Sequence, residues 1–255
     1  MTNTRPRGSA QPAASAPHPV LPRYYARADA KRSFLKHIFD DSAADYDRVD
    51  RLLAFGTGSW YRRQALLRAG LAPGMKVLDV AIGTGLVSRQ IVRILGARGE
   101  VIGIDPSAGM LASAARGLGI GLMRGRAEAL PFADASFDFL AFGFALRHVE
   151  DMQAAFGEFR RVLRPGGRLL ALEITRPEGR IAQRLLRAYM HGVVPLLSRL
   201  VARHRDTPHL YRYYWETIES CVAPASVLAA LESSGFRRAG RHVELGIFSE
   251  YCATA

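Results

Sequence analysis

The chain has 255 residues, nearly half of them apolar, which suits one large α/β domain and argues against global disorder. Its 35 basic residues against 23 acidic ones give a formal charge of +12, and every basic residue except Lys31, Lys36 and Lys76 is arginine. That charge comes without a helix-turn-helix, zinc-finger or RNA-recognition signature, so it points to a solvated basic surface or an anionic membrane face rather than to nucleic acid.

In chain order, residues 1–29 read as a disordered tail, rich in Pro, Ala and Ser through Pro22, whose prolines preclude the amphipathic helix of a transit peptide. Residues 30–255 read as the folded domain. Phe34, Ile38 and Phe39, then Tyr46 and Val49, then Leu52, Leu53 and Phe55 recur at helical spacing before the first strand, well placed to cover a ligand. Strands are predicted at 76–81, 100–105, 120–124, 137–143 and 167–174, with helices near 85–96, 107–118 and 152–163. Strands joined by crossover helices of that length predict a Rossmann-like, doubly wound, mostly parallel sheet with helices on both faces. Pro165-Gly166-Gly167 reads as a turn that stops one helix and launches the next strand.

Residues 177–223 interrupt the alternation and read as a helical lid insertion. Within it Ile181, Leu185, Leu186, Tyr189, Val193, Leu196, Leu197, Leu200 and Val201 form an apolar face among arginines 180, 184, 187, 199 and 203, and Pro195 should kink it. A last helix near 225–234 leads to a hairpin of strands near 239–245 and 247–253, which predicts a terminal antiparallel strand. No apolar run reaches the ~18 residues needed to cross a bilayer. Cys221 and Cys252 lack CxxC spacing, which argues against a zinc site and a disulfide framework and suits a reducing, cytoplasmic setting. No metal is expected.

The chemistry concentrates in Val77-Leu78-Asp79-Val80-Ala81-Ile82-Gly83-Thr84-Gly85 and in Val101-Ile102-Gly103-Ile104-Asp105. An apolar strand ends in a glycine turn, and a second strand ends in a carboxylate suited to two ribose hydroxyls. A nicotinamide enzyme would carry a third glycine three residues after Gly85, where Ser88 stands. Asp79 would repel a pyrophosphate, yet it suits the cationic methionine end of S-adenosylmethionine. Gly125-Arg126-Ala127-Glu128-Ala129-Leu130-Pro131-Phe132 would hold adenine, and Phe144-Ala145-Leu146-Arg147-His148-Val149 lies where ligands collect in open sheets.

Together these segments resemble a class I S-adenosylmethionine-dependent methyltransferase. Phe39-Asp40, Ser42-Ala43, Tyr46-Asp47 and Leu53-Ala54-Phe55-Gly56 resemble more narrowly the ubiquinone/menaquinone biosynthesis C-methyltransferase family. So do Ala127–Phe132, Leu146–Val149, Arg161–Leu169 and Tyr211-Arg212-Tyr213 with Glu216 and Ile218, over roughly residues 30–240. The resemblance implies methyl transfer to a ring carbon of a polyprenylated quinol. It implies a cofactor site of Asp79, Ala81, Gly83, Thr84, Gly85, Asp105, Pro106, Met110, Arg126, Ala127 and Phe144. Arg147 would steer the developing phenolate with Tyr46 as partner, and His148, with an ordinary pKa of about 6.5, would be a general base or a hydrogen-bonded wall. The segment 177–206 would cover the prenyl tail and rest on an anionic bilayer at the inner face of the membrane, and a homodimer is open.

Where the family carries Gly, Asp and Asn, this chain has Ile82, Leu86 and His148, and Arg126 cannot accept a hydrogen bond from adenine. A second acceptor class therefore stands beside the quinol: another aromatic, polyketide or lipid-like small molecule. Glu173 fits either the pocket or the fold. Tyr211, Tyr213, Tyr214 and Trp215 read as packing ahead of substrate contact, and His191 as structural.

Overall fold

A computed structural model describes residues 16–27, 30–53, 56–196 and 207–255 of the chain. Phe55, Leu197, Leu200, Val201 and arginines 199 and 203 lie outside the described residues, as do residues 1–15 and the side chains of Leu52, Leu53 and Tyr211.

Helices α1 (Ala30–Leu53) and α2 (Gly58–Arg68) precede the sheet. Then come β1 (Lys76–Val80), α3 (Leu86–Leu95), β2 (Glu100–Asp105), α4 (Ala108–Ala115), β3 (Gly121–Arg124), β4 (Phe137–Gly143), α5 (Met152–Val162) and β5 (Leu163–Ile174). After these follow α6 (Arg180–Ala188), α7 (Thr207–Ser220), α8 (Pro224–Ser233), β6 (Arg237–Glu244) and β7 (Phe248–Thr254). The sheet runs β3-β2-β1-β4-β5-β7-β6. Strands β1 to β5 are parallel, and β7 is antiparallel to both β5 and β6.

Alternation along the strands explains the two layers. Phe137, Leu140 and Phe142 of β4 and Leu169 and Ala171 of β5 pack with α5 and α8. Phe139, Ala141, Leu170 and Leu172 pack on the other face with Tyr61, Ala65, Leu66, Ile91 and Leu95 of α2 and α3. The central strands β1, β4 and the second half of β5 are buried on both sides, hence their near-continuous apolar runs.

Two expectations are corrected. The tail reading fails for residues 16–27, because Tyr25 joins a third core of Ile38, Val49, Val194, Leu210, Tyr213 and Tyr214. In the same segment Tyr24 donates to Glu216 at 2.9 Å, and the Pro17 carbonyl accepts from the Val222 amide at 2.8 Å. Pro165-Gly166-Gly167 is not a free turn, since β5 begins at Leu163 and the pairing jumps from Phe137↔Leu163 to Phe139↔Arg168 across a bulge. The helix leading to Pro195 is irregular. The irregularity is a π turn at Tyr189–Val193, a wider coil that relieves the clash a proline ring makes with the carbonyl four residues before it.

Helix α1 is pinned across the sheet's carboxyl edge. Asp40 accepts from the Ser107 hydroxyl at 2.5 Å and from the Gly109 amide at 2.9 Å. A Cβ at Gly109 would lie 2.8 Å from the Asp40 carbonyl oxygen, a backbone atom that cannot swing aside. Gly109→Ala is therefore expected to push α1 off α4, at a cost of about 1–3 kcal/mol. It should also weaken several-fold the binding of S-adenosylhomocysteine, the product form of the cofactor that the resemblance implies. Thermal melting and calorimetry check both, and unchanged affinity would show that α1 is not part of the cover.

Candidate active site

At the carboxyl ends of β1, β2 and β4 lies a cavity of ≈ 380 Å³ roofed by α1 and α7. Its size falls within the range of small-molecule sites, and its place is the one open parallel sheets reserve for ligands. Ala81, Gly83, Thr84, Asp105, Pro106, Met110, Arg126, Ala127 and Phe144 all line it, as do Tyr46 and His148.

The floor is held in an unusual backbone state. Ala81 and Phe144, just past β1 and β4, have φ of 54° and 60°, a region that side chains disfavour. Gly83 has φ of 57° and nothing within 4 Å of where a Cβ would stand, so its backbone faces open space. Its amide donates to Asp105 Oδ2 at 2.8 Å, while the Ser107 amide donates to Oδ1 at 2.8 Å. Asp105 is thus oriented by two backbone donors, with lone pairs left for ribose hydroxyls. Burial pushes its pKa up to about 6 against those donors. It does not cap α4; Ser107 does, accepting from the Met110 amide at 3.0 Å.

Asp79 and Gly85 are not on the cavity wall. Asp79 is buried beneath the glycine turn, where the Ser88 hydroxyl donates to it at 2.6 Å. Burial first, opposed by that bond and reinforced by the charge of Asp105, pushes its pKa up to about 7. The two carboxylates therefore neighbour each other, but only Asp105 faces the cavity. Gly85 starts α3 with φ of 87° and leaves room for Leu118, whose Cδ1 a Cβ would meet at 2.3 Å. Thr84 hands its hydroxyl to Asp47 of α1, which also pairs with Arg89 at 2.8 Å.

Arg147 also turns away from the cavity. From the short 3-10 turn Leu146–His148 its guanidinium meets Glu173 at the end of β5, both groups being fully buried. It passes 5.0 Å from the ring centre of Tyr214, a cavity residue. Glu173 thus belongs to the fold. Lys31 of α1 locks the same turn by donating to the carbonyls of Val149 at 2.8 Å and Arg147 at 3.3 Å. Burial draws its pKa down to about 8.

The opposite wall is aromatic. His148 packs edge-on against Phe39 at 5.2 Å and stacks on Tyr213 at 5.6 Å, with neither ring nitrogen partnered among the described residues. Burial, then the charges of Arg147, Lys31 and His18, hold its pKa well below the ordinary imidazole range, so the ring is neutral. The Tyr214 hydroxyl lies 3.3 Å from that of Tyr46, whose pKa burial raises.

Arg126 sits in the segment expected to hold adenine, and it pairs with Glu150 at 3.4 Å; Glu150 in turn is held by Arg32 at 2.6 Å. The buried cation at the cavity escapes sequence reasoning. Arg62 of α2 is 6% exposed, donates to Asp50 at 2.7 Å, and lies over the Phe144 ring at 5.5 Å. Neither the described residues of α6 nor a cluster of metal-ligating side chains is at this site; no such cluster of three or more occurs among the described residues.

The floor fits a sulfonium nucleoside: an open glycine backbone, a buried carboxylate with free lone pairs, and Met110 and Ala127 as apolar walls for a base. Known proteins agree. A S-adenosylmethionine-dependent methyltransferase from Aquifex aeolicus superposes with a TM-score of 0.59 at 20% identity, covering 82% of this chain and 97% of its own. One from Mesorhizobium loti gives 0.54 at 20% identity, covering 78% and 99%. These two share the fold. A ubiquinone/menaquinone biosynthesis C-methyltransferase from Hahella chejuensis is 35% identical over 212 residues, 80% of this chain and 84% of that one. Its counterpart from Shewanella oneidensis is 32% identical over 218 residues, 83% and 86%. The ubiE/COQ5 methyltransferase family matches residues 27–253, and the chain belongs to it as a S-adenosylmethionine-dependent methyltransferase.

Proposed function

We propose that the enzyme methylates a ring carbon of a polyprenylated quinol. The observation that carries this reading is a single cavity joining the glycine floor to an aromatic wall of Phe39, Tyr46, Phe144, His148 and Tyr214, in a chain whose relatives are named for quinone biosynthesis. When bound, S-adenosylmethionine supplies an electrophilic methyl group at a sulfonium centre. Asp105 and the Gly83 turn hold the nucleoside, and Phe144 and Tyr214 set the acceptor ring. His148, neutral and unpartnered, takes a hydrogen bond from the acceptor hydroxyl and orients it; with so low a pKa the ring does not hold the proton itself. Arg147 is a positioning residue that stiffens this wall through Tyr214.

Helix α6 supports a peripheral membrane role. Ile181 and Leu185, one turn apart, are 75% and 67% exposed, and Arg180, Arg184 and Arg187 stand beside them. Such a stripe lies flat on an anionic bilayer where a quinol is found. No helix of the described residues is long and apolar enough to cross a membrane.

Purified protein supplied with S-adenosylmethionine and a demethyl-quinol should yield the methylated quinol by mass spectrometry, and a deletion strain should accumulate the demethyl form. Unchanged quinones in that strain would favour the second reading, an alternative aromatic acceptor. That reading has its own support, because Ile82, Leu86, Arg126 and His148, four of the departures from the family pattern, line the cavity.

A further inference from the structure

We infer that Arg62 is the oxyanion site for the acceptor, the buried cation that receives its ring oxygen once the hydroxyl has ionised. The inference rests on the proposal that the acceptor is a quinol or another phenol.

Five cationic side chains line the cavity: Arg32, Lys36, Arg62, Arg124 and Arg126. Arg32, Lys36 and Arg124 are exposed and Arg126 is half-buried, so water competes for their charge; Arg62 is buried. Arg32 and Arg126 also share Glu150 at the end of the cavity that faces Arg124 and Ala127. Arg62 stands at the other end, against Phe144 and near Tyr46. Its Nη2 is committed to Asp50, while its Nε is buried without a partner among the described residues.

A desolvated guanidinium N–H left unpaired costs about 1–3 kcal/mol, and an anionic oxygen is the group that best relieves it. A guanidinium held in place by Asp50 offers a fixed field to charge that develops on the acceptor. Asp50 anchors the fork through Nη2 and leaves Nε unpaired. Arg147 cannot do this, because Glu173 consumes its charge outside the cavity.

The test is a spectrophotometric pH titration of 4-nitrophenol bound to the protein loaded with S-adenosylhomocysteine. The phenol loses its proton to buffer, and the coloured phenolate reports its own ionisation. Wild type should lower the probe's pKa by about one unit or more relative to free solution. Arg62→Lys, which keeps the charge, should retain most of that change. Asp50→Asn/Arg62→Gln, which removes the pair together, should abolish it and lower kcat about 100-fold or more, with S-adenosylhomocysteine affinity preserved by calorimetry as proof of folding. An unchanged probe pKa in both wild type and Arg62→Lys, or a full effect in the double variant, overturns the inference. A wild type that lowers the nitrophenol pKa yet methylates no quinol would sink the quinol proposal and leave Arg62 in place.

Discussion

Arg147→Met is expected to lose about 3–5 kcal/mol of stability, because it strands a carboxylate in the core. Glu173 is 1% exposed, and its remaining donors are the amides of Ile174 at 2.8 Å and Arg147 at 3.4 Å. Burial already raises the pKa of Glu173, with the Arg147 charge as the main force holding it down. Without that charge the folded state binds a proton that the unfolded state releases at lower pH. The loss should therefore deepen as pH rises above the ordinary glutamate range, so urea unfolding at pH 8 should show a larger deficit than at pH 5. Arg147→Met/Glu173→Leu should recover much of the stability, since an apolar pair of similar volume costs no desolvation. Activity should remain low in the double variant, because Tyr214 has lost the cation beneath it. A single variant as stable as wild type yet inactive would mean that Arg147 contacts the acceptor directly, and the positioning role would fall.

The parts of the site that are legible in the sequence are those fixed by strand ends. Asp105 ends β2, Phe144 follows β4 directly and Gly83 stands three residues past β1, and parallel sheets gather such residues on one edge whatever the rest of the chain does. The element order is readable for a similar reason, since strands buried on two faces leave unbroken apolar runs. What escapes depends on contacts between distant segments. Arg62 looks like Arg63 and Arg68 within α2, and only the packing of that helix on the sheet buries one of them at the cavity. Arg147 and Glu173 are separated by 26 residues in sequence, though both end neighbouring strands, which is a usable signal that they meet. Tyr24-Tyr25 is another: an aromatic pair at the end of a proline-rich stretch has apolar area to bury, and it is buried against α7. Asp79 points to the ligand by its place in the motif, yet Ser88 at the start of α3 satisfies it from below.

The carboxylates under the glycine turn should make the ligand-free protein less stable as pH rises. Folding raises the pKa of Asp79 from 3.8 to about 7 and that of Asp105 from 3.8 to about 6, chiefly by burial. Between about pH 4 and 7 the folded state therefore holds protons that the unfolded state has released, so unfolding free energy falls through this window and levels off above it. A tenfold difference in proton affinity is worth ~1.4 kcal/mol, so the two sites together cost on the order of 5–10 kcal/mol at pH 8. Asp79→Asn keeps an acceptor for Ser88 and should remove the larger part of the slope, stabilising the ligand-free protein at pH 8 while changing it little at pH 4. A cationic nucleoside favours the ionised carboxylates, so linkage requires proton release on binding and tighter binding at pH 8 than at pH 5.5. Calorimetry near pH 6.5 in two buffers of different ionisation enthalpy measures that release directly. A flat stability profile with no proton release would show that neither carboxylate is protonated in the empty site, and that the field over the glycine turn is not what draws the sulfonium in.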